Sequence, residues 1–439
     1  MFGRSFNTCL LICSIAMAAP AFAGSGDRHK PRPNPVIDWA AIVQPAIHNA
    51  AAPRSAGTSQ VLHTYAMLAV YDAVVAIEGK YEPYAGHIDA PRGADIRAAV
   101  ATAAYLTVRA KAAPSQYDYL DDQYTTYLAA IPEGPRKSAG VQVGEQASAA
   151  LLALRAGDGF DDVVPYFCSM VPPPVGEFVP NTGCPTLPTD PQPVDVKLGK
   201  IRPFTYDDPG RFRPSGPNEP TSDAYAEDFV ETRDYGRVDS ALRTPAQTEV
   251  AYFWSEHPYV FWNRNLIALA VRNNLGVREA ARYFALVYTT TSDAVIAGFE
   301  AKYHYTYWRP RTAIPAADDD GNPETPADAA WTPLLQVNHP EYPSGHGFWS
   351  GALTDAVGRY FGTRSVRWTL EASVPQVAQK QRSYRDLDEV MREVVNARIW
   401  AGLHWRQSMR HGEQIGRAVA RHVSKHYFER CDGRRDRCR

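Results

Sequence analysis

The sequence predicts an all-α protein made of two packed helical bundles, with the candidate active site in the C-terminal bundle. Three observations carry that expectation. Alanine-rich stretches place apolar residues at helical spacing. Alternating runs of β-branched residues, which mark strands, are scarce. The 35 prolines are concentrated in irregular segments, which leaves the rest of the chain free for helix. At 439 residues and 45% hydrophobic content, there is ample material for a buried core.

In chain order, residues 1–23 read as a signal peptide: Arg4 precedes an apolar run over 9–17, and Ala21-Phe22-Ala23 offers the small residues a signal peptidase recognises. The expectation is an exported protein, periplasmic or secreted, and no later apolar stretch reads as a membrane span. Residues 24–156 form the N-terminal bundle, with helices expected over 61–78, 96–112, 117–130 and 137–156. From 157 to 243, Pro, Gly and Asp are frequent and periodicity is lost, which predicts a long ordered connection. The second bundle, 244–430, is expected to carry helices over 245–270, 278–308, 347–361, 386–400 and 412–427. A basic tail, 431–439, closes the chain as a solvated end.

With a formal net charge of −2, nothing in the overall balance draws the chain to nucleic acid or to an anionic membrane. Loss of the leader removes Cys9 and Cys13, leaving Cys168, Cys184, Cys431 and Cys438. Four cysteines in an oxidising compartment permit three pairings, and local closure, Cys168 with Cys184 and Cys431 with Cys438, is the expectation.

The candidate site lies in three separated clusters: Lys302 with Arg309-Pro310, then Pro343-Ser344-Gly345-His346, then Arg398 with His404. They supply three permanent cations, a hydroxyl, a glycine amide and two imidazoles, an inventory that fits a tetrahedral oxyanion. A buried anion must be met by cations and donors, and the arginine fork matches its oxygens in pairs. Lys302 and Arg309 are seven apart and would share one face of the helix expected over 278–308. Ser344 reads as an N-cap whose helix start is an anion site. Arg398 and His404, six apart, diverge on a straight helix, so a break near Gly402 or the reach of the arginine must bring them together. Alone, each residue has a plainer reading, a surface cation, a cap, a tight turn. The three clusters in order give the signal.

These motifs resemble those of vanadium-dependent haloperoxidases within the type 2 phosphatidic acid phosphatase superfamily. The run Phe299 to Pro310, Tyr342-Pro343-Ser344-Gly345-His346 and Gly402-Leu403-His404-Trp405-Arg406 look like the chloroperoxidase-like branch. The resemblance implies bound vanadate, a site phosphate can share, with His404 on the metal, Lys302, Arg309, Ser344, Gly345 and Arg398 on the oxygens, and His346 as acid-base group. It implies hydrogen peroxide, halide and a small organic acceptor as reactants, the halide being bromide or, less readily, chloride. An exported acid phosphatase acting through a phosphohistidine is the alternative, and a non-catalytic oxyanion binder is a third reading. Two places depart from the family pattern. Ser408 stands where an aspartate follows the ligating histidine by four residues. The halide pocket falls on Phe299 and His339, a histidine resembling the bromide-selective members, and the acid supporting an active-site arginine falls on Glu256 or His257.

Overall fold

The structure is a computed structural model and describes residues 33–431. Among these residues there are thirteen α-helices and one two-stranded hairpin, in keeping with the all-α prediction. The leader lies outside the described residues.

The first helix, α1 (Pro35–Ile47), was not anticipated. Asn34 caps it by accepting from the Val36 amide at 3.1 Å, and Pro35 fits the first helical position because its missing N–H would have had no acceptor there. α2 (Ala56–Glu78) begins earlier than its apolar pattern because Ser55 caps it, accepting from Thr58 N at 3.3 Å. α2 is long and apolar enough to cross a membrane, but 89% of its most apolar window is buried inside the protein, so it is a core helix. α3 (Ile96–Arg109), α4 (Tyr117–Ala129) and α5 (Pro135–Leu154) follow the expected segments closely and complete the packing around it.

The connection over 157–243 is irregular as expected, save for α6 (Asp223–Gly236). Few apolar residues of α6 are buried, too few to register as a period, yet Tyr225 and Phe229 pack against Trp405 with ring centroids 5.5 and 6.1 Å away. The connection thereby supports the third site motif from behind. It also holds the Cys168–Cys184 disulfide, with Cα atoms 5.7 Å apart. The other expected pairing ends at Cys438, outside the described residues.

In the second bundle the segment 245–270 splits into α7 (Pro245–Phe253) and α8 (Pro258–Arg272), because Pro258 cannot continue a helix. α9 (Val277–Tyr305) is the spine, touching α2 and two later helices, α11 (Gly345–Phe361) and α13 (Arg406–His426). Thr306, with φ +44°, ends α9 three residues before Arg309. The single helix expected to carry both Lys302 and Arg309 therefore does not exist. Arg309 is extended and leads into the short α10 (Pro310–Ala313). α12 (Leu387–Trp400) is capped by Asp386, which accepts from Glu389 N at 2.8 Å. α13 begins six residues before its predicted start. The hairpin β1 (Trp368–Glu371) with β2 (Gln381–Tyr384), Trp368 opposite Tyr384, was missed because four-residue strands carry no readable period.

Small residues bring α11 and α13 into backbone contact. A side chain at Gly347 would meet the Met409 carbonyl at 2.7 Å, and one at Gly416 would collide with Ala352 N. This closeness lets Ser344 N donate to the Ser408 carbonyl at 3.1 Å, which ties the start of α11 to the first turn of α13.

Candidate active site: a buried cradle for an oxyanion

Three chain breaks build the cradle. After α9 ends, Arg309 turns back so that its guanidinium donates to the Leu403 carbonyl at 2.8 Å and to the Pro340 carbonyl at 3.2 Å. Lys302, still on α9, donates to the carbonyls of Pro340 at 2.7 Å and Glu341 at 3.0 Å. The two cations thus meet over the strand-like run before α11, and helix periodicity does not bring them there. At the second break, Ser344 caps α11, accepting from Gly347 N at 3.4 Å. The amides of Gly345 and His346, in the first turn, have no intrahelical acceptor and point their partial positive charge along the helix axis. The third break is Gly402, whose φ of +71° ends the chain's course along α12 and swings His404 back toward Arg398. A side chain there would strike the Gly236 carbonyl at 2.5 Å.

Arg398 and His346 share one acceptor: the Trp254 carbonyl receives the Arg398 guanidinium at 3.0 Å and faces His346 Nε2 at 3.1 Å. That assigns the His346 proton to Nε2 and leaves Nδ1 with the lone pair. His404, His346, Arg398, Gly345, Phe299 and His339 all line a cavity of about 370 Å³. Lys302 and Arg309 do not line it and sit behind Gly345 and His339. A Cβ on Gly345 would come within 4.0 Å of both Lys302 Cε and His339 Cε1, and Arg309 contacts His339 Nδ1 at 3.0 Å. The sequence-predicted residues therefore converge on one place.

The electrostatics are one-sided. Lys302 is 0% exposed, Arg309 1% and Arg398 3%, yet among the described residues no carboxylate pairs with any of them. Their partners are neutral carbonyls and one imidazole, and Arg398 Nε is buried with no partner. Burial pushes Arg309 and Arg398 each down to about 9, and Lys302 well below the usual lysine range, with Arg309 adding to the effect on Lys302. Burial, then neighbouring cations, likewise holds His339, His346 and His404 well below the ordinary imidazole value. An anion here would relieve every one of these penalties. The donor set, an orphaned guanidinium N–H, a spare ammonium proton and free helix amides, suits a tetrahedral oxyanion such as vanadate.

Sequence reasoning missed one residue. Glu341, fully buried, accepts at a single oxygen from the Trp405 amide at 3.1 Å and faces His404 Nδ1 at 2.7 Å. Burial raises its carboxyl to about 7, with Arg309 and Lys302 opposing. It stands between Pro340 and Tyr342-Pro343, where an acid looks like part of a surface turn. The carboxylate absent at Ser408 is thus present from another segment, and Ser408 Oγ itself lies 3.5 Å from His404 Nδ1, at the edge of hydrogen-bond range. Neither residue expected to support an active-site arginine bonds Arg309 or Arg398. Glu256 pairs with Arg264 at 2.7 Å, and His257 stacks on His48 at 3.8 Å and bonds the Arg54 carbonyl.

Phe299 and His339 stand side by side, ring centroids 5.7 Å apart, on the cavity wall. With Nδ1 accepting from Arg309, the His339 proton belongs on Nε2. Among the described residues there is no cluster of three or more His, Cys, Asp or Glu side chains able to hold a metal cation by itself.

The chain is similar to known proteins in part of its sequence and in its fold. The family described as the VCPO second helical-bundle domain matches residues 282–433. Vanadium chloroperoxidase of Curvularia inaequalis is 28% identical over 158 residues, 30% of this chain and 25% of that protein, so the matched stretch spans about a quarter of the relative. Among solved structures, the first bacterial vanadium-dependent iodoperoxidase superimposes with a TM-score of 0.73 at 21% identity, covering 90% of this chain and 96% of that one. A bacterial vanadium-dependent chloroperoxidase in its holo form gives 0.68 at 18% identity, covering 87% and 94%. The fold is shared over nearly the whole described chain, and the family match falls on residues 282–433, the bundle holding the cradle.

Proposed function

We propose that the protein is a vanadate-dependent haloperoxidase that uses hydrogen peroxide to oxidise bromide, chloride less readily, to a hypohalous species that halogenates a small organic acceptor. The observation that carries the reading is the excess of buried cation: Lys302, Arg309 and Arg398 are buried with no carboxylate paired to any of them among the described residues, and Glu341, the carboxylate that acts on Lys302 and Arg309, is engaged by His404. Such an arrangement is costly unless an anion fills it.

His404 would hold the metal through Nε2, since Nδ1 faces Glu341. Lys302, Arg309 and Arg398 neutralise the oxygens, and the Ser344 hydroxyl and Gly345 amide close the cradle. Burial, Arg398 and Lys302 keep His346 neutral, and with an anion offsetting the two cations its Nδ1 would be the base for the peroxide proton. When bound, vanadate supplies Lewis acidity toward peroxide, so the protein's part is charge and position. His339 gives halide an N–H donor in the cavity wall, and a histidine at this place resembles the bromide-selective members. The remaining volume of the cavity has room for an organic acceptor beside the cradle. The disulfide in the connection supports the exported location, periplasmic or secreted, that the leader sequence indicates.

One assay separates this reading from an acid phosphatase built on the same cradle. Purified without phosphate and given orthovanadate, the protein is expected to brominate in a peroxide-dependent manner. Hydrolysis of a generic phosphomonoester, inhibited by vanadate, with no bromination would establish the phosphatase instead.

A further inference from the structure

We infer that Glu341 is the positioning residue for His404, fixing its ring proton on Nδ1 and raising the basicity of the Nε2 that faces the oxyanion. The inference rests on the vanadate reading and goes beyond it, because no motif residue of the three clusters supplies this acid. Glu341 Oε1 already accepts the Trp405 amide proton, so at the same oxygen the imidazole nitrogen 2.7 Å away is placed as a second donor. A carboxylate that holds the far nitrogen of a metal-binding histidine fixes its tautomer and increases its donor strength.

The surroundings allow little freedom. The Glu341 backbone amide donates to the Tyr307 carbonyl at 2.9 Å, and its carbonyl receives Lys302 at 3.0 Å. One residue thus links all three clusters. Its main chain anchors the lysine of the first, its side chain orients the histidine of the third, and three residues on it leads into Ser344 of the second. The acid one helical turn after His404 is dispensable here because the carboxylate arrives from the run before α11.

Charge gives the test its direction. Among the described residues Glu341 is the carboxylate that bonds a cradle residue, through His404, and it opposes any anion that enters. Replacing it by the neutral isostere should therefore help an anion held by charge alone, and harm one held through a bond to His404. The experiment compares equilibrium dissociation constants of orthovanadate and inorganic phosphate for wild type, for Glu341→Gln, and for Glu341→Gln combined with Ser408→Asp. The expected result is orthovanadate weakened about 10-fold or more by Glu341→Gln, phosphate unchanged or tighter, and most of the orthovanadate affinity recovered in the double variant. Equal weakening of both anions would reduce Glu341 to a structural residue and overturn the inference, as would no change in either or a tightening of both. Nitrogen-15 shifts of the His404 ring in the ligand-free wild type give a separate decision: a proton on Nδ1 is expected, and a proton on Nε2 refutes the assignment. Should the wild type bind phosphate but no vanadate, the vanadate reading fails, and the ring-proton measurement still decides the role of Glu341.

Discussion

Two regions of this molecule bury arginine, and they do it in opposite ways. Where α5 meets the connection, Arg155 is 3% exposed and its charge is met: Asp158 lies 2.7 Å away, the Pro203 carbonyl accepts at 2.9 Å, and the guanidinium stacks 4.1 Å over Phe204. Tyr65 donates to the same aspartate. In the cradle, Arg309 and Arg398 are buried as deeply and meet only carbonyls and a histidine nitrogen. The contrast appears in their acidities. Arg155 is held above the ordinary arginine value although burial opposes it, because tyrosines and Asp158 surround it, whereas burial pulls the cradle arginines down to about 9. A matched buried cation stabilises a fold. An unmatched one is a cost the fold bears for a ligand.

The strongest way to break this comparison is to remove the unmatched charges. Arg398→Met is expected to lower vanadate-dependent turnover by about 10²- to 10³-fold, the usual consequence of losing one preorganised donor, while the melting temperature of the ligand-free protein stays level or rises because an uncompensated charge has gone. His404→Ala should abolish vanadate binding, and His346→Ala should retain binding while losing about 10²-fold or more in turnover. Undiminished activity in both histidine variants would refute their assignment.

Removing the matched charge should do the reverse. Arg155→Met strands Asp158 and is expected to cost about 3–5 kcal/mol of stability, read by chemical denaturation, with vanadate affinity unaltered. Next in size is ligand linkage. Orthovanadate at about 100 times its dissociation constant should stabilise the wild type by about 2.7 kcal/mol, and Arg398→Met should show little of that shift at the same concentration.

A separate effect concerns buried carboxylates that no salt bridge neutralises. Burial raises Asp72 and Asp293 to about 7, against backbone and hydroxyl donors that pull the other way. The folded state holds these protons between about pH 4 and pH 7 while the unfolded state has released them, so stability falls as pH rises through that window and levels off above it. Asp72→Asn should flatten part of the slope. An unchanged slope in both Asp72→Asn and Asp293→Asn would show that these groups ionise normally.

Much of the cradle could be read in the chain because its residues travel in short contiguous motifs, and each motif sits at a helix end that Pro310, Ser344 or Gly402 marks. What could not be read is what comes from crossings of the chain. The Trp254 carbonyl reaches Arg398 and His346 across 144 and 92 residues, and main-chain groups leave no signature in side-chain type. Glu341 reaches His404 across 63 residues. The pairing of Lys302 with Arg309 was legible as a fact and wrong as a mechanism, since Thr306 ends α9 and a turn, in place of a shared helical face, brings the two together. α1 and α6 escaped notice for a related reason. Their ends are set by single caps, Asn34 and Ser222, and α6 buries too few aromatics to print a period.

The central claim is that the unmatched cations exist to hold one oxyanion. Equilibrium binding of orthovanadate to phosphate-free protein tests it most directly. The account predicts one saturable site per chain, competed by phosphate and weakened severely by Arg398→Met, whereas no saturable binding, or binding indifferent to that substitution, would contradict it.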